Sequence, residues 1–536
     1  MATPPATGSA PRATGLRRLF IRKSVAQMHA EHAGSELKRT LNAANLISLG
    51  IGCIIGTGIF VLTGRAAADF AGPAIMVSFV ITGLLCAFVA LCYAELASVL
   101  PVSGSAYSYS YASMGEFSAW IMGLLLLLEY GLAASTVAVG WSGYFVSLLN
   151  DIGIHLPPAL TAAPGVEVKV AGEVVATGIA NLPAIAAICA VTALLVIGVS
   201  ESATVNNIVV FIKVSVVIAF IVIGFFYVNP DNWVPLVPDE IPPPPPEVAR
   251  GFWADIWRAM VDVMTGQNDS RYGIGGIIAG AATIFFAYIG FEAVSTAGAE
   301  SKNPARDMPI GIIGSLLICT VLYILTSAVL VGIVPYTDLD DPAPIAKAVN
   351  QIGLPWFAVL VKIGAIAGLS SVMLVLLYGQ TRIFYTMARD GLLPGPLAAV
   401  HSKFRTPWIN TLITGVLAAS AAGFMSLDAL ADLTNVGSLA AFAIVCLTVI
   451  YMRVTAPNLK RPFRTPLYPL TPIMGALMCL FLLMALMANE HTRSFFLIYL
   501  GGGVVVYFIY GLWNSKLGKG EIVVGAEPDP DTLGKL

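Results

Sequence analysis

The chain has 536 residues, 57% of them hydrophobic and only 11% charged, against roughly 25% charged in an average soluble domain. Most of it therefore cannot face water, and a net charge of -2 offers no basic surface for nucleic acid. With no His-Glu-x-x-His sequence and no Walker-type phosphate loop, membrane hydrolase and ATP-driven pump readings lose their main supports, and no cofactor or metal is implied.

Residues 1–44 begin with a Pro/Ala/Thr/Ser-rich stretch and lack the apolar core of a cleaved signal peptide, so a cytoplasmic tail is expected, with the first membrane helix as its own targeting signal. A hydrocarbon core about 30 Å thick needs roughly 20 apolar residues of helix. Twelve segments meet or approach that length, at about 45–70, 73–99, 118–149, 183–200, 205–228, 274–299, 308–333, 355–388, 407–425, 429–452, 468–488 and 495–513. An all-α polytopic membrane protein follows. All seven cysteines fall in apolar segments without paired spacing and read as small buried hydrophobes. Most of the 29 Lys and Arg residues lie on the side that carries the N-terminus, which predicts both termini in the cytoplasm, the C-terminal tail being 515–536.

The first span carries Ile51-Gly52-Cys53-Ile54-Ile55-Gly56-Thr57-Gly58-Ile59-Phe60, with glycines near its middle. Glycine costs roughly 1 kcal/mol against Ala in a helix and permits unusual backbone geometry, so a break is expected, each half being about 16 Å long. Glu129 lies near the middle of the third span, and three readings stay open. It attracts a cationic substrate side chain, takes part in proton transfer, or forms a hydrogen bond between helices. Lys213 lies in the fifth span, at the edge of where a lysine can snorkel to the interface.

Between the fifth and sixth spans, residues 229–273 form the longest external connection. It holds five consecutive prolines, Pro242 to Pro246, and then Phe252, Trp253, Ile256, Trp257 and Met260 at helical spacing. That pattern predicts a short interfacial helix, either a lid or a passive anchor. The sixth span repeats the interruption, with Phe285-Phe286-Ala287-Tyr288-Ile289-Gly290-Phe291-Glu292 near its middle. Glu292 would hold the unwound segment or join a gate.

Two broken spans at equivalent positions in two halves point to a transporter binding site. An opened helix frees N–H groups that receive a carboxylate and carbonyls that accept an ammonium or a metal ion. An α-amino acid carries both groups on one carbon. The backbone around Ile54, Gly56, Thr57 and Gly58, and around Phe286, Ala287 and Ile289, is therefore expected to hold the head of an amino acid; close helix packing is the plainer reading of the glycines. On the eighth span Ser370, Met373 and Leu377 share a face. If it lines the pocket, Met373 fills space a long cationic side chain requires and favours small or medium neutral substrates; plain packing is the alternative. Glu95, Arg382 and Arg389 lie toward the cytoplasmic helix ends, where solvated or gate-forming ion pairs are expected, and Arg65 and Lys362 occupy the external zone.

The runs Gly50 to Gly64, Phe285 to Glu292, Tyr378-Gly-Gln-Thr-Arg382 with Ala388 to Pro394, and Lys460-Arg-Pro-Phe-Arg-Thr-Pro466 together resemble the amino acid-polyamine-organocation superfamily, and within it bacterial members of the cationic amino acid transporter family. The resemblance covers about Leu41 to Asn514. It implies a leucine-transporter-type 5+5 inverted repeat, with spans one to five in 45–228, spans six to ten in 274–452 and two extra helices in 453–514. It also implies that Lys213 occupies the place where sodium-coupled relatives bind an ion between spans one and eight. Protonated, it would brace the carbonyls of the opened first helix and the hydroxyls of Ser370 and Ser371; neutral, it would release them. A structural lysine is the alternative. The expected function is a proton-coupled amino acid symporter of the inner membrane working by alternating access, its partners being substrate, proton and lipid bilayer. An exchanger without net proton flow and an amino acid-binding membrane sensor are the rivals; a channel fits an occluded site less well.

Overall fold

The computed structural model describes residues 15–23, 39–102, 104–170, 173–198, 203–241, 252–265 and 271–520. Nine of the helical runs among the described residues are long and apolar enough to cross a membrane, and Ala43–Ile54, Leu182–Ile197 and Trp408–Phe424 are shorter apolar helices beside them.

Local signals set many of the helix ends. α1 (Ala43–Ile54) starts where the Asn42 side chain accepts from the Asn45 amide at 3.0 Å. It stops at Ile55, whose ψ of 96° leaves the helical region. Helical geometry resumes over Gly58–Ala71, the chain bends at Gly72–Pro73, and α2 (Ile75–Val99) follows. A short helix, α3 (Ser105–Ser113), precedes α4 (Glu116–Leu127) and α5 (Ala133–Asp151), which are joined by a π-helical turn at Leu128–Leu132 that carries Glu129.

The all-α expectation needs one correction here. β1 (Glu167–Val170) and β2 (Glu173–Thr177) pair antiparallel, with Glu167 opposite Thr177 and Val170 opposite Glu173. Val166, Val168 and Val170 alternate with Glu167 and Lys169, the period-two signature of a strand.

The chain continues through α6 (Leu182–Ile197), capped by the Asn181 side chain at the Ala184 amide, and α7 (Ala203–Phe225). α8 (Phe252–Thr265) is the expected amphipathic helix, with Trp257 exposed; the side chains of Phe252 and Trp253, and the proline run, lie outside the described residues. α9 (Gly273–Ile284) opens the second broken run, which continues as tight 3-10 turns over Phe285–Tyr288 and Glu292–Glu300. Then come α10 (Pro304–Ile333), α11 (Pro344–Gln351), α12 (Pro355–Arg389), α13 (Trp408–Phe424), α14 (Leu427–Thr455), α15 (Leu470–Met487) and α16 (Glu490–Val506). Proline sits in the first turn of α10, α11 and α12, where its missing N–H leaves no partner wanting.

α10 packs along both α2 and α1, α12 along α5 and α7, and α14 along α15. The two broken runs are tied at one end, where the Leu41 amide donates to the Glu300 carbonyl at 3.0 Å and the Lys302 amide to the Leu41 carbonyl at 2.8 Å. The first and last of the described residues pack on that same face. The Glu116 amide donates to the Ile21 carbonyl, Lys23 pairs with Asp390 at 3.1 Å, and the Lys516 amide donates to the Asp390 carbonyl. Six of the seven cysteines are buried as expected; Cys189 is exposed, because α6 turns that side outward.

Candidate functional site

The two interruptions meet. A β-carbon placed on Gly58 would lie 2.2 Å from the Ala287 Cα, so only glycine allows the second half of the first run to touch the second gap. Gly290, with φ of +120°, sits against the Cys53 backbone, where an added β-carbon would be 2.8 Å from the carbonyl carbon. Glycines at or beside each break are thus the ones that let the breaks approach each other.

At the first gap, Ile55 and Gly56 separate two helical halves, and the carbonyls ending α1 lack intrahelical donors. They find donors on other helices. The Lys213 Nζ on α7 donates to the Gly52 carbonyl at 2.5 Å and to the Ile55 carbonyl at 3.2 Å, and the Tyr323 hydroxyl on α10 donates to the Ile54 carbonyl at 2.7 Å. Lys213 is fully buried, and its stem passes Gly368 of α12, where a β-carbon would meet its Cδ at 3.3 Å. The opposite lip is the start of a helix, whose first amides, at Gly56, Thr57 and Gly58, have no intrahelical acceptor and carry partial positive charge. Thr57 is fully buried against Gly140 of α5, and its hydroxyl has no partner among the described residues.

The second gap is finished otherwise. The Asn435 amide on α14 donates to the carbonyls of Ala282 at 3.0 Å and Thr283 at 3.3 Å, which end α9. On the other lip the Gly290 amide donates to Oε2 of Glu292 at 2.8 Å. Phe286, Ala287 and Ile289 are all buried around this turn. Glu129 is fully buried, with its carboxyl beside those of Glu292 and the Ser438 hydroxyl, and neither of its oxygens makes a hydrogen bond of good geometry among the described residues.

On α12, Val372 stands across from Gly56 and Ser371 is buried, its hydroxyl without a partner among the described residues. Met373 is likewise buried. Ser370 is placed differently from expectation. Its hydroxyl donates to the Ile366 carbonyl at 2.8 Å and accepts from the Trp141 indole at 3.0 Å, which turns it toward α5 and away from Lys213.

A cavity of about 390 Å³ lies on the face that carries the chain ends. Its inner end reaches Cys53 and Tyr130, each one residue from a residue expected at the site, and its outer wall includes Glu300, Tyr378 and Arg382. Three of the other membrane-edge charges are paired: Glu95 with Arg453 at 2.6 Å and Arg461 at 3.2 Å, Lys362 with Asp151 at 2.6 Å, and Arg65 with Asp428 at 3.0 Å and Asp340 at 3.4 Å. Sequence reasoning missed Tyr323, Asn435 and Tyr130; the signal available for the first two was a hydrogen-bonding group in the middle of an apolar helix.

A family model described as amino acid permease matches residues 41–510. The chain is 44% identical over 501 residues to a methylthioribose transporter of Bacillus subtilis (strain 168), covering 94% of this chain and 99% of that protein. It is also 44% identical over 501 residues to the branched-chain amino acid permease BcaP of the same organism, covering 93% and 99%. Against the vacuolar cationic amino acid transporter 4 of Arabidopsis thaliana it is 37% identical over 447 residues, covering 83% and 68%.

Proposed function

We propose, from the fact that this chain belongs to the amino acid permease family, that it is a proton-coupled amino acid symporter working by alternating access. In this reading it spans the inner membrane twelve times, with 45–228 and 274–452 as inverted repeats, 453–514 as two added spans and both tails in the cytoplasm.

One observation carries the proposal. At the first gap the carbonyl lip is occupied by Lys213 and Tyr323, while the other lip is a helix start whose amides have no intrahelical acceptor. A substrate carboxylate fits there by the same physics that seats anions at helix N-termini. The ammonium faces the carbonyls of the adjoining Phe286–Ile289 turn, and the side chain extends toward Glu129 and Met373. Lys213 bridges two carbonyls of the broken helix, and a charged ammonium holds them more strongly than a neutral amine, so its protonation and the shape of the gap are linked. Ser371 is the hydroxyl placed to join that linkage; Ser370 would act only after a change of rotamer.

Uptake of the common radiolabelled amino acids into proteoliposomes, with and without an imposed pH gradient, tests the reading. Accumulation of at least one amino acid driven by the gradient is expected. Exchange indifferent to the gradient would make the chain an exchanger, and binding without uptake would make it a sensor. A second substrate class is favoured by the relative named a methylthioribose transporter. That thiosugar has no carboxylate for the amide lip, so competition between it and an amino acid for uptake separates the two.

A further inference from the structure

The outer end of the cavity carries opposite charges on facing walls. Arg382 on α12 lies over the ring of Tyr378, its guanidinium carbon 4.1 Å from the centroid, and donates to the Tyr378 hydroxyl. Opposite it, Glu300 closes the last 3-10 turn of the second broken run, 4.0 Å away. The two side chains are 35% and 30% exposed. A half-solvated pair at that separation contributes about 0–1 kcal/mol, so little holds the charges together. Inward from them the wall is apolar, with Leu374 and Val375. Val372, which faces the first gap, is ten residues from Arg382 on one helix, about 15 Å along its axis, so a ligand at Arg382 does not sit in the gaps.

We propose that this mouth is a second, transient subsite for the zwitterionic α-amino acid, with its carboxylate on Arg382, its ammonium on Glu300 and its side chain on the apolar wall. The proposal rests on the transport reading above and adds a relay step to it. Arginine presents a planar fork that matches a carboxylate with two parallel hydrogen bonds, and stacking on Tyr378 holds that fork in place. Exchanging a long ion pair for two charge-assisted contacts with a zwitterion is favourable where a single charge would not be. A substrate leaving the gaps meets a receptor of the same chemistry before it meets water, and a substrate arriving from this side is captured there first. Because Glu300 is tied to the start of α1 through Leu41, and Arg382 stands on a different helix, rearrangement of the broken runs changes the spacing of the subsite.

The test uses the full chain in right-side-out and inverted membrane vesicles, with tritiated L-leucine and L-arginine as probes. Arg382→Gln and Glu300→Gln should each raise KM for transport starting from the face with the chain ends about tenfold. Uptake from the other face should keep its KM and lose about tenfold in maximal rate, because detailed balance fixes the ratio of the two efficiencies. Arg382→Lys, which keeps the charge but not the fork, should recover only part of the loss. If the pair is only a gate, its loss favours the state open on this face, and KM there falls while KM on the other face rises; that result overturns the subsite. Unchanged KM on both faces overturns it as well. If the unmodified chain transports neither these probes nor any other amino acid from either side, the transport reading itself fails and takes the subsite with it.

Discussion

At the first gap, two side chains from other helices occupy the carbonyl lip, and the other lip is a helix start whose first amides have no intrahelical acceptor. At the second gap, Asn435 occupies the carbonyl lip and Glu292 takes the Gly290 amide on the other. Both breaks contain glycine, yet among the described residues the second has a side chain of the protein on each lip. On the proposed function this divides the work. The first gap receives the carboxylate and senses the proton through Lys213; the second is a self-contained turn that supplies a wall and a few carbonyls.

Removing Lys213 breaks this contrast most strongly. Lys213→Ala leaves the Gly52 and Ile55 carbonyls buried without a donor, at a cost of about 1–3 kcal/mol each. Uptake should fall at least a hundredfold and what remains should be equal at pH 5.5 and 7.5, while the solubilised chain still elutes as one species in size-exclusion chromatography. Retained pH dependence would overturn the coupling role.

Tyr323→Phe is a gentler probe of the same lip. It strips one donor from the Ile54 carbonyl, again about 1–3 kcal/mol, and should slow transport about tenfold with a lower melting temperature. Asn435→Leu removes the donors to Ala282 and Thr283 at the other gap. It should destabilise the chain by a similar amount, yet change substrate KM less than twofold, since no carboxylate-binding amide lies beside it. Equal KM shifts in the two variants would erase the distinction between the gaps. The smallest effect is expected from Met373→Ser, which should widen acceptance to Arg and Lys with little change in rate for neutral substrates. Unchanged selectivity in a competition assay would show that Met373 packs without facing the pocket.

Much of the arrangement around the gaps was legible in the sequence. Glycines within an apolar run marked both breaks, and Lys213 stood out because a charge is costly there unless it has a task. Tyr323 and Asn435 were not legible, since each serves a backbone carbonyl 269 and 153 residues away and looks locally like packing. Ser370 and Ser371 could not be told apart either. Which of two adjacent serines faces a partner depends on the rotation of α12, and that is set by Trp141 on α5. The hairpin at β1 and β2 was readable from alternating valines, but it lies in a connection where the helical pattern of the rest of the chain dominated the reading. Arg382 was seen as a helix-end charge and Glu300 was not singled out; their meeting across one cavity follows from packing between distant elements.

The most direct test is an experimental structure of the chain with a transported amino acid bound. The substrate carboxylate should lie about 3 Å from amides in Gly56–Gly58, with Lys213 still on the carbonyls across the gap. A carboxylate seated elsewhere while those amides remain unoccupied, or an unbroken helix through Ile55 and Gly56, would contradict the account.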